Sequence, residues 1–196
     1  MGSLLQKQIY RPEYLNGENM KINRIWAMPS KDTFTIKPIL SLLRKYNVGG
    51  NWIDPFAGNH SMAEYTNDLN PNTNAKSHID AKEYLQNASG LFNGGLFDPP
   101  YSLRQIMECY KGFGKDNIDK KWATTNFYTD VKNELAKKII FNGLCISFGW
   151  NSIGLGKKRG FDIIEILLVS HGRLHNDTIV TIEKKIYEQL QLKLAL

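Results

Sequence analysis

The prediction of the fold starts from Gly90-Leu-Phe-Asn-Gly-Gly-Leu-Phe97-Asp98-Pro99-Pro100-Tyr101, in which an apolar run is followed by two prolines. The apolar run Gly90–Phe97, bounded by turn residues, predicts a buried strand. Because proline has no N–H to give to a sheet, the chain must leave the sheet at Pro99. A residue before proline is held extended, which places Asp98 at the C-terminal tip of the strand. In open α/β sheets, this edge is where ligands bind.

The groups at this turn suit recognition of an amino group on a planar base. The carboxylate of Asp98 and the carbonyl of Pro99 can accept its two N–H bonds, and the ring of Tyr101 can stack on the base. Such bonds weaken conjugation of the nitrogen lone pair with the ring, so the nitrogen becomes more nucleophilic. A turn with a capping aspartate is the alternative interpretation.

The same tetrapeptide resembles the D/N/S-P-P-Y/F/W motif of amino-directed DNA methyltransferases. The form with Asp and Tyr is similar to that of the adenine-N6 members. The resemblance implies that the catalytic residues are Asp98, Pro99, Pro100 and Tyr101.

The composition is that of an ordinary globular protein. The chain has 196 residues, 42% of them hydrophobic and 22% charged, which predicts one domain. A net charge of +6 favours a polyanionic partner. Two cysteines without a C-x-x-C pattern make a metal site unexpected and predict a reducing, cytoplasmic location. No membrane association is expected, because no apolar run reaches spanning length and no secretion signal is visible.

A second match lies about 40 residues before the first, at Asn51–Gly58. It predicts a short strand and a loop, and Asp-Pro-Phe-Ala-Gly is similar to the family's cofactor motif, whose loop wraps S-adenosylmethionine. The resemblance implies donor binding by Asp54, Phe56, Ala57 and Gly58. The family continues into a second glycine and a full helix, whereas Asn59-His60-Ser61 follows here. The first crossover helix is therefore expected to be shortened or absent.

Residues 1–24 are mixed and polar, and they predict an irregular arm. Asp32 or Thr33 is a candidate cap for a helix from about Lys37 to Tyr46, which puts Pro38 in the first turn, where it is tolerated. This segment resembles the family motif whose loop and helix start hold the amino-acid end of the donor. The donor-binding residues implied here are Met28, Pro29, Thr33 and Phe34. An ordinary capped surface helix is the equally weighted alternative.

Four aspartates, Asp54, Asp68, Asp80 and Asp98, follow four successive short apolar runs. The resemblance implies that Asp68 binds the ribose hydroxyls of the donor and that Asp80 lies near its adenine amino group. Each aspartate taken singly is better explained as a turn residue or a helix cap. The regular series of four favours a role in a functional site.

Two segments combine basic residues with features suited to nucleic acid. Basic and aromatic residues are interleaved over residues 102–127, and residues 149–160 are rich in glycine. Both compositions suit phosphate contact, and the first also suits base stacking. The candidate DNA-binding residues are Arg104, Lys111, Lys115, Lys120, Lys121, Lys157, Lys158 and Arg159. Solvated charged loops are the alternative.

The remaining pattern predicts a helix over Tyr128–Asn142 ended by Gly143, a strand over Leu144–Phe148, and a hairpin of Phe161–Ser170 with Thr178–Glu183. We therefore expect a three-layer, Rossmann-like α/β methyltransferase fold with a mostly parallel sheet ending in an antiparallel hairpin. It would be a single domain over residues 25–196, with no separate target-recognition domain.

The resemblance as a whole implies methyl transfer from S-adenosylmethionine to adenine N6 in DNA, by a small phage-type solitary enzyme. Without a recognition domain, target choice would come from the basic loops, the arm, a specificity-conferring protein partner or a homodimer. Two alternatives stay open. One is a methyltransferase acting on RNA or protein. The other is a non-catalytic nucleic-acid-binding protein that kept the fold.

Overall fold

The structure is a computed structural model that describes residues 20–101, 105–107, 111, 126–172 and 175–186. The strands are β1 (Lys21–Trp26), β2 (Trp52–Asp54), β3 (Tyr65–Thr66), β4 (Phe92–Phe97), β5 (Ile139–Gly149), β6 (Phe161–Ser170) and β7 (Thr178–Lys185). The α-helices with described bounds are α1 (Lys37–Lys45), α2 (Ala81–Asn87) and α3 (Asn126–Lys138). Short 3-10 turns cover Thr33–Thr35 and Lys157–Arg159.

The described strands form one seven-stranded sheet in the order β1-β6-β7-β5-β4-β2-β3. Strands β3, β2, β4 and β5 are mutually parallel, and β7 runs antiparallel between β5 and β6. The prediction of a mostly parallel sheet that ends in an antiparallel hairpin is therefore confirmed.

Apolar side chains cover both faces of the sheet, which makes three layers. One core cluster contains Ile39 and Leu43 of α1 together with Trp52 of β2. The other contains Leu85 of α2 and Leu135 of α3. Neighbouring residues of one strand belong to opposite clusters, since successive side chains of a strand point to opposite faces.

The N-terminal predictions need two corrections. Residues 21–24 are not an irregular arm, because they belong to β1, which pairs in parallel with β6 along its whole length. Residues 1–19 lie outside the described part. Helix α1 begins at Lys37 with Pro38 in its first turn, as predicted, but Ile36 precedes it and neither Asp32 nor Thr33 caps it. Asp32 instead precedes the separate 3-10 turn.

The connection between β2 and β3 contains turns and no helix, which confirms the predicted loss of the first crossover helix. Strand β3 is only two residues long. The next expected strand is reduced to a single parallel bridge between Asn67 and Ser77. Asp80 therefore does not end a strand. It caps α2, where its Oδ1 accepts hydrogen bonds from the backbone N–H groups of Lys82 and Glu83.

The junction of α3 and β5 also differs from the prediction. The helix ends at Lys138 rather than Asn142, and Gly143 lies inside β5, which starts at Ile139. The side chain of Lys185, which is 3% exposed, donates to the carbonyls of Ala136 and Ile139 at 3.1 and 2.7 Å. A cation from the distant β7 thus satisfies the end of the helix.

Candidate active site

Asp98 and Tyr101 stand at the tip of β4, as the two prolines require. The Tyr101 hydroxyl donates a hydrogen bond to Oδ1 of Asp98. The Tyr101 backbone N–H donates to Oε1 of Gln105 at 2.7 Å, and the Tyr128 hydroxyl donates to the Pro100 carbonyl at 2.5 Å. Two residues that follow the turn in the sequence, Gln105 and Tyr128, therefore hold it in one conformation.

The carboxyl group of Asp98 has a raised pKa of about 6. Burial at the base of the turn is the main cause, while hydrogen bonds from the side chains of Tyr101 and Thr33 lower the pKa and offset part of the effect. Burial and the nearby Asp98 also raise the pKa of the Tyr101 phenol, so the phenol stays protonated and acts as a donor. At neutral pH, Asp98 is thus ionised and can accept hydrogen bonds. At a pH slightly below neutral, it can hold a proton.

A buried carboxyl organises the loop after β2. Asp54 is 0% exposed, and its two oxygens accept hydrogen bonds from the Phe56 backbone N–H at 2.9 Å and the Ser61 hydroxyl at 2.7 Å. Burial raises its pKa to about 7, although both hydrogen bonds lower it. Asp54 therefore shapes the loop from beneath and does not line the cleft.

Asp68 joins this loop to the end of β3. Its Oδ2 accepts from the Gly58 backbone N–H at 2.9 Å, and its Oδ1 accepts from the Asn70 backbone N–H at 2.8 Å. Gly58 has a φ of +53°, and no atom lies within 4 Å of the position that a Cβ would occupy. The structure thus leaves open space at Gly58, directly beside a carboxylate.

Asn67 is a structural residue that the sequence pattern did not single out. Its side chain is 0% exposed, donates to the carbonyls of Pro55 and Ile79, and accepts from the Ile79 backbone N–H. It therefore fixes the loop after β2 against the segment that leads to α2. In the sequence, Asn67 is marked by its position directly before Asp68 in Tyr65-Thr-Asn-Asp68. The prediction assigned this strand end to Asp68, as one of the series of four aspartates.

These loops surround a cleft of about 580 Å³, a size typical of small-ligand sites. Among the predicted residues, the cleft is lined by Thr33, Phe34, Phe56, Ala57, Gly58, Asp68, Asp98, Pro99, Pro100 and Tyr101. Lining residues that the sequence did not suggest include Lys31, Asn59, His60, Asn70, Thr73, Gln105, Ile106 and Tyr128. The candidate donor loop and the candidate acceptor turn therefore face a single space.

Other predicted donor residues do not line this cleft. Met28 is 69% exposed, and neither it nor Pro29 contributes to the lining. Asp80 also lies outside it, because its carboxylate caps α2.

The predicted DNA-binding residues are only partly described. Arg104, Lys115, Lys120 and Lys121 lie outside the described residues, and Lys111 is exposed. Lys157 and Lys158 are exposed, with Lys157 Nζ 3.2 Å from Asp162. Arg159 is bound to the protein itself, since it donates to Oδ1 of Asn133 and to the Leu155 carbonyl, each at 2.7 Å.

The glycine-rich loop is built around a carboxylate of the protein. Glu183 of β7 is 0% exposed and accepts hydrogen bonds from the backbone N–H groups of Leu155 and Gly156, at 2.6 and 2.8 Å. Burial is the main cause of its raised pKa. Two of the N–H groups that a phosphate cradle would use are therefore already occupied.

No group of three or more metal-ligating side chains occurs among the residues that the structure describes. No described helix is long and apolar enough to cross a membrane.

Comparison with known proteins gives structural similarities only. The sequence matches no protein-family model and no curated protein. Among solved structures, TrmN from Thermus thermophilus matches 77% of this chain with a TM-score of 0.50 and 16% identity. The match covers 49% of TrmN, so the chain spans about half of that protein's length.

The N-methyltransferase NodS from Bradyrhizobium japonicum WM9 also matches 77% of this chain, and 94% of its own, with a TM-score of 0.48 and 8% identity. The similarity to TrmN shows the fold, and the expected Rossmann-like methyltransferase fold is confirmed.

Proposed function

We propose that this chain transfers a methyl group from S-adenosylmethionine to the N6 amino group of adenine in DNA. The observation that carries the proposal is that Asp98 and Gly58 line one cleft, with Asp68 bound to the Gly58 backbone. An acceptor turn and a donor loop that share a cleft suit a transfer between two bound molecules.

The residues present fit the donor. Asp68 offers a carboxylate for the ribose hydroxyls, and the open space at Gly58 lets a ligand approach the backbone. Phe56 provides an apolar surface, and Thr33 and Phe34 lie on the wall expected to hold the amino-acid end. S-adenosylmethionine would supply an electrophilic methyl group there.

The acceptor side is built to orient an exocyclic amine. Asp98 Oδ and the Pro99 carbonyl would accept the two N–H bonds of the adenine amine and direct its lone pair toward the donor loop. Asp98 would then take the proton that the methylated nitrogen releases, which its pKa of about 6 permits near neutral pH. Tyr101 would stack on the base once its hydroxyl leaves the carboxylate.

The net charge of +6 supports a polyanionic substrate. A target adenine must have left the duplex, or be already unpaired, to place its amine in the cleft beside Asp98. Exposed lysines at 111, 157 and 158 are candidates for phosphate contact. We expect target choice to depend on these loops, on a protein partner or on a second copy of the chain.

The test is a transfer assay with S-adenosylmethionine labelled on the methyl group, offered in parallel arms with DNA, RNA and protein. Label recovered as N6-methyladenine from DNA, and lost in Asp98→Ala, is the expected result. Label in RNA or protein alone would overturn the DNA assignment. Calorimetry that detects no donor binding at millimolar concentration, with or without DNA, would favour a non-catalytic binding protein.

A further inference from the structure

Trp150 lies beside the catalytic turn because β4 and β5 are parallel neighbours. Phe97 pairs with Ser147 in the register of these strands, so the residues that follow each strand emerge together. The ring centroids of Tyr101 and Trp150 are 5.8 Å apart, and their planes are inclined by 57°. This is the spacing of an interacting aromatic pair.

The Tyr101 ring lies against the end of β5, at Gly149. A Cβ at this residue would lie 3.9 Å from Cε1 of Tyr101, which is van der Waals contact. The ring of Tyr101 is therefore bounded by the end of β5 and by Trp150, while its hydroxyl binds Asp98.

Trp150 is also more exposed than it would need to be if it only packed against the ring of Tyr101. It is 45% exposed, although tryptophan is highly buried on average. It is not among the residues that line the cleft, so it extends the aromatic surface of Tyr101 beyond the cleft. An exposed aromatic surface next to a base-accepting turn suits stacking of an unpaired base, which tolerates any base sequence.

We infer that Trp150 is a substrate-contacting residue, which stacks on a nucleobase of unpaired DNA as the target adenine enters beside Tyr101. The inference rests on the proposed function, because it assigns the acceptor side of the same site. The ligand is single-stranded or locally opened DNA, which Trp150 recognises through the faces of its bases.

Binding of a single-stranded oligodeoxynucleotide rich in adenine tests this without any methyl transfer. An oligonucleotide of equal length with abasic sites in place of the adenines keeps the phosphates and removes the stacking faces. Trp150→Ala should weaken binding of the adenine oligonucleotide by about 5- to 150-fold and leave the abasic one unaffected. Trp150→Phe keeps a ring and should recover most of the affinity.

Trp26→Ala is the matched control. Trp26 is 62% exposed and lies on β1, which β6 and β7 separate from β5. The adenine oligonucleotide should quench tryptophan emission in the parent and in Trp26→Ala, and the quenching should be smaller in Trp150→Phe. Unchanged affinity in Trp150→Ala, or unchanged quenching in Trp150→Phe, would overturn the inference, as would quenching of Trp150 by RNA or peptide but not by DNA.

Kinetics separate this inference from the proposed function. If the parent methylates DNA, Trp150→Ala should raise KM for DNA and leave the affinity for S-adenosylmethionine unchanged. A normal KM in an active Trp150→Ala protein would refute the inference alone. A parent that binds DNA through Trp150 but transfers no methyl group would support the inference and refute the proposed function.

Discussion

The hydroxyl of Tyr101 donates a hydrogen bond to Oδ1 of Asp98, so the proposed base-stacking residue occupies an acceptor of the proposed amine-binding residue. An entering amine must replace this hydroxyl or share the carboxylate with it. The contact therefore links the position of the Tyr101 ring to the protonation of Asp98, and this link can be measured.

Replacing Tyr101 with Phe should shift the acid limb of activity to higher pH. The Tyr101 hydrogen bond lowers the pKa of Asp98, which burial has raised to about 6, so its loss should raise that pKa further. Since the ionised carboxylate is the active form, kcat/KM should fall below about pH 6 in the parent, and at a higher pH in the variant. The measurement is kcat/KM against pH, and coincident acid limbs would contradict this link.

Replacing Asp98 with Ala should lower methyl transfer by ~100-fold or more, because a positioned acceptor at a reacting centre is lost. The melting temperature should change little, and S-adenosylmethionine should still bind through Asp68 and Gly58, which bond to each other and not to Asp98. Asp98→Asn, which keeps one acceptor and removes the charge, is the matched variant and should be intermediate or inactive. Near-normal turnover in Asp98→Ala would refute its catalytic role.

Donor affinity should depend on Gly58 and Asp68. Gly58→Val should block S-adenosylmethionine, both because it fills the open space and because a β-branched residue is strained at a φ of +53°. Asp68→Ala loses charge-assisted hydrogen bonds, and one such bond of ~1.5–3 kcal/mol corresponds to roughly 10- to 150-fold in affinity. Titration calorimetry checks both variants.

The control for these donor variants is Asp130→Ala, which removes an acid that pairs with Lys82 outside the cleft. Its donor affinity should match the parent. If Gly58→Val and Asp68→Ala also match the parent, the donor binds elsewhere and the assignment of this loop is wrong.

Asp54 should make the protein less stable as pH rises from about 4 to about 7. Its pKa is about 7 in the folded state against an ordinary 3.8, so across this window only the folded state holds the proton. The free energy of unfolding should fall by at most about 1.4 kcal/mol per pH unit from this group, and then level off. Asp54→Asn keeps an acceptor for the Phe56 N–H and cannot ionise, so its profile should be flatter.

Denaturant unfolding of the parent and Asp54→Asn at pH 5, 6.5 and 8 measures this effect. Asp98, whose pKa of about 6 is raised in the same direction, contributes a residual slope in both proteins. Parallel profiles for the two proteins would show that Asp54 is not the titrating group.

The three basic residues of the 157–159 turn should separate into two kinds. Lys157 and Lys158 are exposed, and replacing both with Ala should reduce the slope of log affinity for DNA against log salt by up to ~2 if both touch phosphate. Arg159 binds Asn133 and the Leu155 carbonyl, so Arg159→Ala should instead lower the melting temperature. An unchanged slope in the double variant would mean that this turn does not face DNA.

Local sequence patterns were enough to predict an element where the residue types restrict the backbone conformation within a few residues. The apolar run before Asp98 and the two prolines after it predicted both β4 and the place where the chain leaves the sheet. The loop after β2 and the final hairpin were recognised in the same way. Phe56 and Gly58, which line the donor side of the cleft, lie in the loop directly after β2.

The predictions were wrong where local structure depends on a residue or a strand that is distant in the sequence. Lys185 binds the end of α3, and the helix stops four residues before its predicted end. Residues 21–24 form a strand because β6 offers a parallel edge to them. The composition of the glycine-rich loop predicted that it binds phosphate. In the structure, Glu183 already accepts hydrogen bonds from two backbone N–H groups of this loop.

The position of the Asp98 turn could be read from the sequence alone, because proline geometry and strand periodicity act within a few residues. The resemblance of two short motifs indicated the class of fold and the loop at residues 54–58. Long-range packing, in contrast, buries Asp54 beneath the cleft while Asp68 lines it, makes Asp80 a helix cap, and places Trp150 beside Tyr101. The reason is that burial and contact depend on which strands become neighbours. In a parallel sheet, those neighbours bring together strand ends that are far apart in the chain.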